Sequence, residues 1–148
     1  MPTSPIAYTI GYEGWRLDGF VAHLGEQRIK VLIDIREKPA SRKPGFSKTP
    51  LREALRESGI EYVHVKELGS PTAIRYEYKS GGDKDSFFRA YRAYLETQAD
   101  QLRTVLDTVR EKTGCLMCLE RHAMDCHRSA VSDMLKQLDG NGLTFTHI

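Results

Sequence analysis

The chain has 148 residues, 28% of them charged and 40% hydrophobic, which suits one soluble globular domain with a proper core. A net charge of +2 is too small to draw the protein to nucleic acid or membrane in bulk, so any preference for anions must come from local clustering. No apolar run approaches the roughly 20 residues that span a bilayer.

The N-terminus, Met1 to Pro5, lacks the basic-then-apolar order of a secretory signal. Three cysteines is an odd number, and two fall in an expected strand. Neither fact suggests a disulfide framework. A reduced, cytoplasmic protein is expected.

Apolar clusters alternate with helical periodicity along the chain. Ala7 to Ile10 reads as a short strand, closed by Gly11 to Gly14. From Asp18 to Gln27, Phe20, Val21 and Leu24 share one helical face. Val31 to Ile35 is nearly all apolar, as an interior parallel strand covered on both sides should be. Leu51, Ala54 and Leu55 mark a helix to Ser58, and Gly59 is its natural stop. Ile60 to Val65 alternates as a third strand.

Glu67 to Lys84 is rich in Gly, Pro, Ser and charge and reads as a long connection, functional or mobile, with Gly81-Gly82 as lid or slack. Phe87 to Val109 carries the apolar spacing of one long helix or two, with Asp100 as a break and N-cap. Gly114 to Leu119 is a fourth strand, a helical pattern runs through Val131 and Leu135, and Leu143 to Ile148 is a fifth strand.

Strands separated by helices imply right-handed crossovers. The expected fold is therefore a single three-layer α/β domain over residues 1–148: a mostly parallel sheet of about five strands with helices on both faces. A doubly wound order with the first and fourth strands adjacent is preferred, because it brings the richest loops together.

Polar residues gather after the strands rather than before them. Tyr12, Glu13 and Trp15 follow the first strand; Asp34, Arg36, Arg42, Phe46 and Ser47 end or follow the second. Cys118 to Arg128 follows the fourth and holds two thiols, two imidazoles, two guanidiniums, Glu120 and Asp125. In a parallel sheet these ends share one edge, where open α/β folds bind ligands.

Cys126 would stand at a helix start capped by Asp125, where the dipole, His127 and Arg128 favour a thiolate. Cys118 could face the same cavity, whereas Cys115 reads as core filling. Glu120 suits a general base or a guanidinium anchor, its salt bridge to Arg121 or Arg128 being the plainer reading. Asp34 beside Arg36 reads as an internal ion pair, or leaves Arg36 to hold a phosphate in bidentate fashion. Arg36, Lys38, Arg42, Lys43 and Lys48 form a basic cluster whose plain reading is a solvated loop. His64, within a strand, reads as a core histidine.

Two decoys carry little weight. Cys115 to Arg121 fits the C-x5-R spacing of thiol phosphatases, but no glycine is present to let amides close on an anion. Cys115 and Cys118 resemble half a zinc site, yet residues three apart on a strand face opposite ways. No second Cys pair exists, so no metal or other cofactor is expected. A metal built from Cys118, Glu120, His122, Cys126 and His127 is chemically possible.

The chain resembles the domain-of-unknown-function family 488, small bacterial and archaeal proteins. The resemblance covers most of the chain. It rests on Thr9-Ile10-Gly11-Tyr12, on Leu32 to Arg36 with Pro39 and Ser41, and on Pro44-Gly45-Phe46. It continues through Gly59 to Tyr62, Leu68-Gly69, Cys118-Leu119-Glu120 and Cys126-His127-Arg128. A proline frequent in the family's last loop is replaced here by Ala123-Met124. The resemblance implies a compact α/β domain with a shared pocket lined by these motifs, and no agreed activity.

The leading expectation is an enzyme acting on a phosphate-bearing small molecule such as a nucleotide. Cys118, Glu120 and Cys126 would supply the chemistry. Tyr12, Arg36, Arg42, Phe46, His127 and Arg128 would hold the ligand, with Tyr12, Trp15 or Phe46 stacking on a base. The alternatives are a non-catalytic ligand, thiol or metal sensor and, more weakly, nucleic-acid binding through the loop from Arg42 to Lys48.

Overall fold

The computed structural model describes residues 5–118, 128–140 and 142–148, without the side chains of 79 and 128. Five strands form one sheet: β1 (Ile6–Gly11), β2 (Val31–Asp34), β3 (Glu61–His64), β4 (Gly114–Cys118) and β5 (Thr144–His147). All pair in parallel, in the order β3-β2-β4-β1-β5. The first and fourth strands are adjacent, as the sequence suggests.

The described residues form six helices: α1 (Leu17–Glu26), α2 (Lys48–Glu57), α3 (Thr72–Lys79), α4 (Lys84–Glu96), α5 (Ala99–Glu111) and α6 (Arg128–Asp139), of which α3 packs on α4 and the others cover the sheet. Strand alternation decides which core each residue joins. Ile10, Leu32, Cys115 and Met117 face Phe20 and Leu24 of α1 and Leu51 and Leu55 of α2. Ala7, Val31, Ile33, Leu116 and Cys118 face Tyr91 and Leu95 of α4, the apolar stripe of α5, and Val131 and Leu135 of α6. Each helix pair of anchors lies at i and i+4, one stripe of a 3.6-residue period. β2 and β4 are buried on both faces, which is why their sequences are continuous apolar runs.

The connection after β3 departs from expectation. Instead of a long loop, the chain makes a short 3-10 turn, Lys66–Leu68, and then α3. Flanking glycines, Pro71 and serines mask a helical spacing: Ile74 and Tyr78 turn toward α4, and Tyr78 lies 5.1 Å from the ring of Phe87. Tyr91, fully buried on α4, donates its hydroxyl to the carbonyl of Leu68 and ties the turn to the core.

Phe87 to Val109 does divide in two, but the break is at Thr97-Gln98. Gln98 precedes α5, and Asp100 lies within its first turn, where a carboxylate favours the dipole without capping it.

Two glycines have steric reasons. Gly59 sits at φ +74°, ending α2 in the left-handed region. Gly69 lies against the backbone of Arg36 and Glu37, where a Cβ would collide with main-chain atoms. That contact brings the turn after β3 onto the loop after β2 and shapes the edge where ligands are expected.

Candidate functional site

β4 lies between β1 and β2. The helices that follow β1 and β2 cover one face, whereas α6, which follows β4, covers the other. The chain therefore leaves neighbouring strands in opposite directions at the C-terminal edge, the geometry that opens a crevice in such sheets. Tyr12 N–H donates to Cys118 C=O at 3.0 Å and Ile35 N–H to Met117 C=O at 3.2 Å, so the loops after β1 and β2 are joined to the end of β4.

At this edge stands a buried ion pair. Asp34 is fully buried and Arg36 is 6% exposed. Arg36 Nη2 donates to Asp34 Oδ2 at 2.8 Å and Nε to Oδ1 at 2.9 Å, the bidentate fork. The Arg36 backbone N–H adds a bond to Oδ1 at 3.0 Å, and the Tyr62 hydroxyl one to Oδ2 at 2.5 Å. Nη1 donates to the Phe46 carbonyl at 2.8 Å and reaches the Tyr12 hydroxyl at 3.5 Å.

Burial alone would lower the guanidinium's pKa. The hydrogen bonds and charge of Asp34, followed by Tyr12, outweigh it, and the net direction is upward. The internal ion pair is thus the arrangement present, and most of the donors of Arg36 are engaged inside the protein. Tyr62 moves upward too, first through burial and then through its bond to Asp34.

Tyr12 and Phe46, expected to contact ligand, are core residues at 4% and 0% exposure. Their rings stack at 4.9 Å, and the guanidinium carbon of Arg36 lies 5.2 Å from the Tyr12 centroid. They brace Arg36 from below. Trp15 is half-buried and stacked on His23 at 4.9 Å. Arg42 is exposed on the loop between β2 and α2 and does not line the groove described next.

An open groove of about 630 Å³ runs along the C-terminal edge beyond β2 and β3. Lys38, Lys48, Lys66, His64, Thr72 and Glu37 line it, with Pro39 and Ala40. Lys48 N–H bonds to Pro39 C=O at 2.9 Å, and Ser47 Oγ bonds both ways with Ser41, so the loop closes on itself and sets the start of α2 beside the groove. The other wall is fixed by Glu37, which takes Thr72 Oγ1 at 2.5 Å and Arg75 Nη2 at 2.8 Å. Among the described residues, the single carboxylate of the groove is thereby already neutralised. No carboxylate pairs with Lys38, Lys48 or Lys66 among the described residues.

A second hollow, of about 450 Å³, lies at the opposite edge by Pro5 and Thr113. Its charged groups include the Arg110–Asp139 pair, closed at 2.6 Å, so it offers less to an anion.

Glu120, Cys126 and His127 lie outside the described residues, as do Asp125 and His122, and the Arg128 side chain is likewise undescribed. Four of the five candidate metal ligands fall there. Cys118 ends β4 and is disulfide-bonded, which corrects the expectation of three reduced thiols; Cys115 is a buried thiol outside that bond. As a disulfide sulfur, Cys118 is not a nucleophile until reduced.

Sequence reasoning passed over Lys66 and Thr72 and assigned His64 to the core. The available signal was position: His64 ends a strand, at the edge where ligands are expected, and is paired in register with Asp34.

The family model described as "Domain of unknown function DUF488" matches residues 16–135. The chain belongs to the DUF488 family. No curated protein and no solved structure matches it. The matched segment spans the loop after β2, α2, β3 and the groove walls, so the groove is part of the DUF488 domain itself.

Three outcomes are expected. Asp34→Asn or Arg36→Ala strands a buried charge or its donors and should cost about 3–5 kcal/mol in urea denaturation; a loss below about 1 kcal/mol would refute the pairing as a structural anchor. Because the native state favours the neutral Tyr62 phenol, the unfolded chain releases that proton first. Stability should hold below about pH 10 and fall as pH rises above it, less steeply in Tyr62→Phe; alkaline denaturation curves check this. Denatured protein should titrate fewer than its three thiols until reductant is added, and three without reductant would exclude the bond at Cys118.

Proposed function

We propose that this DUF488 protein is an enzyme that binds a phosphate-bearing small molecule, such as a nucleotide, in the groove beyond β2 and β3. The observation that carries this reading is the set of three lysines without carboxylate partners among the described residues, around a volume fit for a small ligand. An ammonium group is a compact point charge and a common phosphate binder. The exposed Arg42 is a further cation on the neighbouring loop. The sequence places Glu120 and Cys126 in the connection that starts after Cys118, where Glu120 would supply acid–base chemistry and thiol chemistry would first need the disulfide at Cys118 reduced.

The disulfide at Cys118 favours one second reading, a thiol-sensing module whose ligand affinity follows its redox state without turnover.

Calorimetric titration with nucleotides, the matching uncharged nucleosides and sulfate tests the proposal. Nucleotides should bind and nucleosides should not. Binding should weaken with salt and fall at least about tenfold when Lys38, Lys48 and Lys66 are replaced together by Gln. Equal affinity for nucleosides, or no effect of the lysine replacements, would reject the groove as an anion site. Repeating the titration with and without reductant, alongside an assay for ligand turnover, separates the enzyme from the sensor.

A further inference from the structure

Among the described residues that line the groove, His64 is the only imidazole. Its Nε2 lies 2.7 Å from the backbone carbonyl of Arg36. A carbonyl oxygen only accepts, so Nε2 must carry the hydrogen and donate it. That bond fixes the tautomer: in the neutral ring Nδ1 is the bare nitrogen, and it makes no hydrogen bond among the described residues.

The acceptor is itself immobile. Arg36 is held by Asp34 through the guanidinium and through its own backbone N–H, and the side chain of Tyr62, two residues before His64 on β3, holds Asp34 from the other side. A ring oriented by a fixed acceptor, with its other nitrogen unengaged at a cationic groove, is the arrangement of a general acid–base residue.

We propose that His64 is the proton-transfer residue of the groove, exchanging a proton through Nδ1 with a bound phosphate-bearing ligand. The inference rests on the groove reading given above and goes beyond it by adding an acid–base residue on β3 to what the loop after β4 would supply. An anion in the groove stabilises the imidazolium, so binding draws a proton from solvent onto Nδ1; by linkage, affinity falls as pH rises and the ring becomes neutral. Among the described residues, the charged and titratable groups around His64 are Asp34, Arg36, Glu37 and Lys38 from β2 and its loop, Tyr62 and Lys66 from β3 and its turn, Lys48 from α2, and Arg75 of α3 on Glu37. Carboxylates, phenols, ammonium and guanidinium groups ordinarily keep their charge between about pH 5.5 and 8.5. Among the described residues, the pH dependence in that window is therefore assigned to the imidazole.

The test uses sulfate, whose own charge is constant over the window. Isothermal titration of the full chain, in buffers of different ionisation heat, should show proton uptake on binding. Affinity should fall about tenfold or more from pH 5.5 to 8.5. His64→Gln, whose amide can still donate to the Arg36 carbonyl, should abolish both the uptake and the pH dependence while binding sulfate as the wild type does at pH 8.5. Sulfate binding without proton uptake by the wild type, or with the same uptake in His64→Gln, overturns the role of His64 and leaves the groove standing. No sulfate binding by the wild type at any pH overturns both.

Discussion

The ion pair between Asp34 and Arg36 organises the C-terminal edge because neither group can be left there alone. An isolated buried carboxylate or guanidinium costs several kcal/mol in lost hydration, and the pair is tolerable only with its hydrogen bonds satisfied. Asp34 receives bonds from Arg36 Nε, Nη2 and backbone N–H and from the Tyr62 hydroxyl. Arg36 passes its remaining reach to the Phe46 carbonyl and the Tyr12 hydroxyl. One residue pair thus couples the ends of β1 and β2, the loop before α2, and β3. A carboxylate in this role does not need to meet ligand at all.

The same constraint explains why the described cations that line the groove are lysines. The guanidinium with the best fork geometry is spent on the protein's own carboxylate. What remains around the groove is a set of ammonium groups on separate elements: Lys38 on the β2 loop, Lys48 at the start of α2 and Lys66 after β3. Such groups supply field rather than a shaped fork. Shape has to come from the walls, which are fixed by the Glu37–Thr72–Arg75 bonds and by the close approach of Gly69 to Glu37.

Much of the fold was legible because burial writes directly into periodicity. β2 and β4, covered on both faces, read as unbroken apolar runs, and α1 and α2 read from their i, i+4 anchors. α3 did not, since Pro71 and the glycines around it are loop signals and its apolar residues number few; its packing partner, Phe87, is remote in sequence. Asp100 looked like a cap by type, but a cap needs the backbone to leave the helix there, and the chain does so at Gln98. At the site, the Asp34–Arg36 pair was one of two readings. Sequence spacing could not choose between them, because the choice depends on Tyr62, Tyr12 and the Phe46 carbonyl, which only the fold brings together.

His64 marks the limit most sharply. Its place within β3 argued for a core residue, and alternation points it to the same side as Tyr62. What alternation omits is depth along the strand. Tyr62 lies one turn of the pleat further in and reaches the buried carboxylate, whereas His64 is the last residue of β3 and opens onto the groove. Two side chains on one face, 2 residues apart, therefore serve opposite purposes: the phenol completes the anchor, and the imidazole, oriented by that anchor through the Arg36 carbonyl, meets the solvent edge. The buried ion pair reaches the groove through that single carbonyl, a link that preserves orientation without passing charge.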